Sequence, residues 1–175
     1  MNSQVIVLTG LSGTGKSTLA DHLARDLGVP AFSGDWLLGA IAPAHTVLAK
    51  LTRPDYLAMY HSLLESLITR QLMLDQGATV DCAINDTISE RWQKIAEDRG
   101  ARLDIVECVC SDEHEHRRRV EGRQRHIPGW HEVDWNHLQR MRVETPPLTV
   151  PHLTVDALYS VDDNLGHIHA WLRRP

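Results

Sequence analysis

The chain has 175 residues, of which 42% are hydrophobic and 23% charged, with a formal net charge of -5. That length lets one domain bury on the order of 70% of its unfolded surface, and the acidic balance gives a field that repels nucleic acid and anionic membranes. Three cysteines, an odd count without a secretory leader pattern, speak against a disulfide framework and for a reducing compartment. The opening MNSQVIVLTG has no basic segment ahead of its apolar run, and that run is far too short to span a bilayer. The expectation is a single domain over 1–175, cytoplasmic, with no membrane partner, as a monomer or homodimer.

Short β-branched runs alternate with longer helical patterns, the signature of βαβ units and a mostly parallel sheet. QVIVLT at 4–9 reads as a first strand buried on both faces, because a central parallel strand need not alternate. A helix follows from about Gly15, with Leu19, Leu23 and Leu27 in its stripe, and Gly28 and Pro30 end it. A short second strand is expected at 30–33, a helical region at 36–42 and a longer helix at 54–76 that Gly77 ends. A third strand is expected at 78–84, a helix at 89–99 and a fourth strand at 102–110. Ser111 and Asp112 cap a helix that carries Arg117, Arg118, Arg119, Arg123 and Arg125. HIPGW at 126–130 is a loop because Pro and Gly break a helix there. A helix at 134–144, a last strand at 153–155 and a closing helix at 162–172 complete the pattern.

Gly10-Leu-Ser-Gly-Thr-Gly15-Lys16-Ser17 matches G-x-x-x-x-G-K-[ST] between an apolar strand and a helical pattern, the context that pattern requires. Glycines let the backbone curl so that its N–H groups converge, and the helix start adds partial positive charge for the β- and γ-phosphates. Gly10, Ser12, Gly13, Thr14, Gly15, Lys16, Ser17 and Thr18 are therefore the expected nucleotide-binding residues. Lys16 supplies a point charge and Ser17 a hydroxyl ligand for Mg²⁺, while Thr18 belongs to the helix or the base site. The implied ligands are ATP and Mg²⁺.

The motif does not by itself separate kinases from switches or motors. None of the three lysines follows an asparagine, so the Asn-Lys-x-Asp element of a guanine switch is missing, and 175 residues leave little beyond a nucleotide site and one acceptor pocket. GLSGTGKST at 10–18, FSGD at 32–35, RRRVEGRQR at 117–125 and LTVDA at 153–157 together resemble the P-loop phosphotransferases that include chloramphenicol phosphotransferase, zeta toxins and polynucleotide 5′-kinases. The resemblance spans nearly the whole chain. It implies a three-layer α/β fold of the nucleoside-kinase type, with a five-stranded, mostly parallel sheet, an acceptor-side helical region at about 36–76 and a lid at about 117–135.

The resemblance makes Asp35 a general base for the acceptor hydroxyl. At the carboxyl end of a strand beside the P-loop strand, a carboxylate can face the γ-phosphate and accept a proton; a helix cap is its plain structural role. Asp81 lies in an apolar strand and must be paired or near a metal, and the resemblance puts an acid that orients Mg²⁺ near here. Either Asp81 or Asp86 can be that acid; Asp86 could equally touch the acceptor or cap a helix. Arg123 and Arg125 match the family's lid arginines, whose planar forks stabilise the transferring phosphoryl group. Arg117, Arg118 and Arg119 read as a solvated face paired with Glu113, Glu115 and Glu121.

The acceptor pocket is expected between the segment after Asp35 and the loop after the arginines. Its candidates are Trp36, Arg53, Tyr56, Tyr60 and His61 on one side and His126, Trp130 and His131 on the other. The paired histidines His114/His116 and His167/His169 do not make a metal site, since their spacing splays them around a helix. Cys108 and Cys110 share a strand face and are expected to be buried thiols. These features point to transfer of the ATP γ-phosphate onto a hydroxyl of a small molecule, such as an antibiotic, nucleoside or sugar. A polynucleotide or tRNA 5′-hydroxyl kinase and a nucleotide-binding regulatory protein are the alternatives.

Overall fold

The computed structural model describes residues 3–174, so the two ends of the expected 1–175 domain lie outside it. Five strands, β1 (Gln4–Thr9), β2 (Ala31–Ser33), β3 (Ala78–Asp81), β4 (Arg102–Val109) and β5 (Leu153–Asp156), form one sheet in the order β2-β3-β1-β4-β5. Every pairing is parallel. β1 sits at the centre and its apolar run feeds both faces. Val5 and Val7 join Leu64, Ile68, Trp92 and Ile105 on one side. Ile6 and Leu8 join Leu19, Leu23, Val106 and Ile168 on the other. That double burial is why the strand reads as continuous rather than alternating. The result is the expected three-layer α/β fold.

Helix α1 (Lys16–Leu27) packs on one face together with α8 (Val161–Leu172), while α4 (Arg53–Leu72) and α5 (Asp86–Glu97) cover the other. Most helix starts carry the side-chain caps the sequence offers: Thr52, Asn85, Asp112, Asp134 and Ser160 each accept a backbone N–H one turn ahead. α1 does not. Its N-cap is Gly15 in the left-handed region, with no side-chain bond, so the free N–H groups of its first turn remain available to an anion.

Several boundaries differ from the sequence expectation. The third strand stops at Asp81 rather than 84, because there the chain passes the sheet edge. The Cys82 N–H still reaches the Leu8 carbonyl at 3.1 Å, and the Ile84 N–H turns to the Thr9 hydroxyl at 3.2 Å. The region expected as one helix at 36–42 is α2 (Gly34–Ala40), followed by a 3-10 turn (Ala42–Ala44) with Pro43 in its first turn and by the short α3 (His45–Leu48). α4 ends at Leu72 instead of 76, and Asp75 takes a φ of 54° in the turn that follows. The arginine-bearing helix is α6 (Glu113–Gly122), a loop runs from 123 to 134, and α7 (Trp135–Glu144) follows.

Among the described residues no helix is long and apolar enough to cross a membrane. Cys108 is buried, its thiol pushed up to about 12 chiefly by burial. Cys110, expected to be buried with it, is only half-buried because β4 ends at Val109.

Candidate active site

The sheet register builds the centre of the site. Asp81, the last residue of β3, pairs laterally with Leu8 on one side and Ser33 on the other. The P-loop leaves β1 and Asp35 leaves β2 on either side of it, at the carboxyl edge of the sheet where the strand order reverses. Ser17 Oγ donates to Asp81 Oδ2, and the Ser33 hydroxyl lies 3.4 Å from the same oxygen. The Asp81 carboxylate is buried and no Lys, Arg or His pairs with it among the described residues. Such a group requires compensation, and a set of carboxylate and hydroxyl oxygens is the chemistry of a hard divalent cation. The residues thus fit the Mg²⁺ that a P-loop implies.

Gly10, Gly13 and Gly15 all adopt positive φ, so the loop needs residues without a Cβ at those positions. Lys16 Nζ folds over the loop onto the Leu11 carbonyl at 2.9 Å, and Thr14 Oγ1 bonds the same oxygen at 2.8 Å. A cavity of about 360 Å³ opens there, lined by Gly13, Lys16, Ser17, Asp35, Asp81 and the arginines of the lid.

Asp35 does not cap α2; Ser33 holds the cap position, without a side-chain bond. Its Oδ2 accepts instead from Arg125 Nη1 at 2.5 Å. Arg125 also donates to Glu132 through Nε and Nη2 at 3.1–3.2 Å. Its guanidinium lies 5.8 Å from the Trp130 ring centre. Arg123 Nε lies 3.1 Å from Glu132 Oε2 but out of hydrogen-bond alignment, so Nε and Nη2 are buried without partners. Burial and the neighbouring Arg125 cation lower the Arg123 pKa. The same lid carries Arg117, paired with Glu121, and Arg118 and Arg119, both paired with Glu115. Those two arginines pull Glu115 down to about 2. Glu113 pairs with Arg142 of α7 rather than with this cluster. Arg118 and Arg119 nevertheless border the phosphate cavity, and Arg119 Nη2 ties α6 to the Ala157 carbonyl at 2.7 Å.

A second cavity, about 380 Å³, adjoins the first. Lys16, Asp35 and Asp81 line both. Its remaining wall includes Leu38, Arg53, Tyr56, Tyr60, Trp130 and His137. Tyr60 is buried, and desolvation raises its pKa well above the usual phenol range, helped by Cys82 and by the charges of Asp35 and Asp81. Trp130 Nε1 is buried without a partner among the described residues. Arg53 reaches Glu144 at 2.6 Å from the cavity rim.

Other candidates stand elsewhere. Trp36 is 55% exposed and borders neither cavity, since it lies on the solvent face of α2. His126 is exposed with a φ of 53° at the loop bend and also borders neither. His61 packs edge-on against Trp92 and bonds the Ala83 carbonyl at 3.0 Å, a core role. His131 borders an outer groove with Arg140 instead. Asp86 is in the first turn of α5, but Asn85 is the cap; the Asp86 carboxylate clips the strand-ward loop through Thr149 N at 2.9 Å and Thr149 Oγ1 at 2.6 Å. Those bonds lower its pKa and place it away from Ser17, leaving Asp81 as the acid beside the P-loop.

Ser33, Glu132 and His137 were not among the sequence candidates. Ser33 sits inside the FSGD segment two positions before Asp35, and Glu132 inside the lid expected at about 117–135, seven positions after Arg125; in both cases the segment was visible and the partner was not.

Several solved structures share this fold. A sugar kinase from Janibacter sp. HTCC2649 is 17% identical, with 98% of this chain and 95% of that one covered at a TM-score of 0.73. A gluconokinase from Sinorhizobium meliloti 1021 is 18% identical, with 98% and 96% covered at 0.70. The APS kinase of Mycobacterium tuberculosis in complex with AMPPNP and APS is 20% identical, with 99% of both chains covered at 0.64. No curated protein matches the sequence. The family model described as an AAA domain matches residues 5–148, most of the chain, and the chain belongs to that family.

Proposed function

We propose that this chain is a kinase that transfers the γ-phosphoryl group of ATP to a hydroxyl of a small molecule. The observation that carries the proposal is the shared wall of the two cavities: Lys16, Asp35 and Asp81 border both the phosphate cavity and the partly aromatic cavity beside it. A donor phosphate in the first and an acceptor hydroxyl in the second would meet at Asp35. Proximity of that kind supplies much of the rate in phosphoryl transfer, where the protein positions groups and stabilises charge.

In this scheme the acceptor oxygen forms a bond to the γ-phosphorus as the bond to the β–γ bridging oxygen breaks. Asp35 accepts the hydroxyl proton, and ADP leaves with the electron pair of the broken bond. Lys16, Arg123 and Arg125 hold the charge of the transferring group. Ser17 and Asp81 would hold Mg²⁺, which when bound draws charge off the phosphate oxygens. Trp130 Nε1, Tyr56 and His137 orient the acceptor. The size and partly aromatic lining of the second cavity favour a compact, partly apolar molecule, and the kinase neighbours, each named for a small substrate, are in accord. The AAA domain match, over residues 5–148, does not name an acceptor.

The test is incubation of the purified protein with Mg·ATP and pooled hydroxyl acceptors (aminoglycosides, chloramphenicol, nucleosides, sugars, a 5′-hydroxyl oligonucleotide), with products followed by mass spectrometry for added phosphate. A phosphorylated small molecule is expected. Asp35→Asn should lower its turnover about 10²- to 10⁴-fold while nucleotide binding persists. An Asp35→Asn protein with full turnover would refute the assigned base.

A further inference from the structure

Helix α6 and the P-loop meet at one polar contact that no part of the reaction scheme above uses. His116 is 1% exposed, although the sequence around it, EHEHRRR, is almost wholly polar. Its Nε2 lies 2.7 Å from the Ser12 carbonyl in the crown of the loop, and its Nδ1 lies 3.2 Å from Arg142 Nη2 on α7. The Trp135 ring stands edge-on, 5.6 Å away between centres. Val120, one turn further along the same face, completes the seat: a Cβ on Gly13 would fall 2.7 Å from its Cγ2 and 3.3 Å from His116 Cδ2.

These partners select a single form of the ring. A guanidinium only donates and a carbonyl only accepts, so the imidazole must be neutral, with its proton on Nε2 and a lone pair on Nδ1. The Ser12 carbonyl shares a planar trans peptide with the Gly13 N–H, so fixing one edge of that plane fixes the other, which points the opposite way. Gly13 borders the phosphate cavity. With glycine on its C-terminal side, this peptide has little steric resistance to rotation of its own.

We infer that His116 is a positioning residue that locks the Ser12–Gly13 peptide of the P-loop against the lid helix, and that nucleotide affinity depends on this bond. The inference rests on the nucleotide-binding reading of the loop, and its test therefore reads binding rather than turnover. Burial, the Ser12 carbonyl acting in the opposite sense, and the cations that face the ring, Arg142 from α7, Lys16 from α1 and Arg119 from α6 itself, leave the His116 pKa below its ordinary 6.5. Protonation would turn Nδ1 from an acceptor into a donor facing Arg142. The neutral form is therefore secure at pH 7, and its contribution is lost as pH falls below 6.5 through the lowered value.

Titration calorimetry of Mg·ADP binding to the full chain decides the matter, with wild type, His116→Gln and His116→Phe compared and thermal melting recorded for each. Glutamine keeps a donor near the Nε2 position, while phenylalanine keeps the volume and the Trp135 contact without one. His116→Phe should bind Mg·ADP about tenfold more weakly, the effect of one neutral hydrogen bond, and His116→Gln should recover most of the loss. Wild type should also lose affinity between pH 7.5 and 5.5 relative to His116→Gln. A folded His116→Phe protein with wild-type affinity overturns the inference. So do parallel pH profiles of wild type and His116→Gln between pH 7.5 and 5.5, a comparison that stands even if the phenylalanine variant does not fold. Absence of Mg·ADP binding by wild type overturns the nucleotide reading itself, and this inference with it.

Discussion

Arg123 sets function against stability within one side chain. Its Nε and Nη2 are buried without hydrogen-bond partners, and its charge is held between Arg125, which opposes it, and Glu132, Asp35 and Asp81, which favour it. A buried donor without a partner costs on the order of 1–3 kcal/mol, and when Arg123 is replaced Glu132 keeps Arg125 as its partner at 3.1 Å, so no carboxylate is left buried and unpaired. Arg123→Met is therefore expected to raise the melting temperature of the nucleotide-free protein by about 2–4 °C. Removing a lid arginine from a transferring phosphoryl group should lower turnover on the order of 10³-fold. Differential scanning fluorimetry without nucleotide, beside steady-state phosphorylation, reads both changes. A fall in melting temperature would mean that the contact with Glu132 outweighs the desolvation.

The same residue separates what was legible from what was not. Lys16 and Ser17 were fixed by a pattern eight residues long, because the loop that holds a phosphate is a local structure. Asp35 was placed by its position just beyond a strand. Glu132 and His116 act through partners distant in sequence: His116 meets Ser12 across 104 positions. No spacing rule connects such a pair. Asp86 stayed an open alternative to Asp81 for the related reason that Thr149, its partner, lies 63 positions away.

At the level of the elements, two glycines make opposite demands on the same substitution. Gly39, in α2, lies where the loop after Arg125 docks, and a Cβ added there would stand 2.4 Å from the Pro128 carbonyl. Gly166, in α8, is exposed and has nothing within 4 Å. Helix propensity favours alanine over glycine by about 0.5–1 kcal/mol in both helices. At Gly166 that preference is unopposed, so Gly166→Ala should stabilise by about that amount. At Gly39 the collision is with backbone, and overpacking costs about 1–3 kcal/mol, so Gly39→Ala should destabilise on balance and release the loop that carries Trp130. Urea unfolding of the two variants gives the signs. Equal stabilisation by both would mean that the loop does not rest on α2. Sequence patterns found these elements to within a few residues, since helix starts carry local caps such as Asp112 and Asp134. They missed α3 and the early end of β3 because contacts beyond the local pattern decide where a strand leaves the sheet.

For the complete fold, the alternation of strands and helices was enough to give a parallel α/β sheet, and the handedness of βαβ units restricts the strand orders that remain. Charge distribution was less legible. The net charge is -5, yet the phosphate cavity gathers Lys16, Arg118, Arg119, Arg123 and Arg125 against only Asp35 and Asp81. These cations line a single cavity of about 360 Å³, while the net charge of the whole chain is acidic. A polynucleotide acceptor needs a basic track of several phosphate contacts, and its binding weakens about 10³- to 10⁵-fold between 50 and 200 mM salt when 6–10 phosphates are held. A small acceptor seated in the second cavity meets charges at short range, where screening is weak. At saturating Mg·ATP, kcat/KM for the true acceptor should change by less than about threefold over that salt range. Initial rates at four or five KCl concentrations, with the best small acceptor and with a 5′-hydroxyl oligonucleotide, make the comparison. If the oligonucleotide alone is phosphorylated, and the rate falls steeply with salt, the small-molecule assignment gives way to polynucleotide phosphorylation.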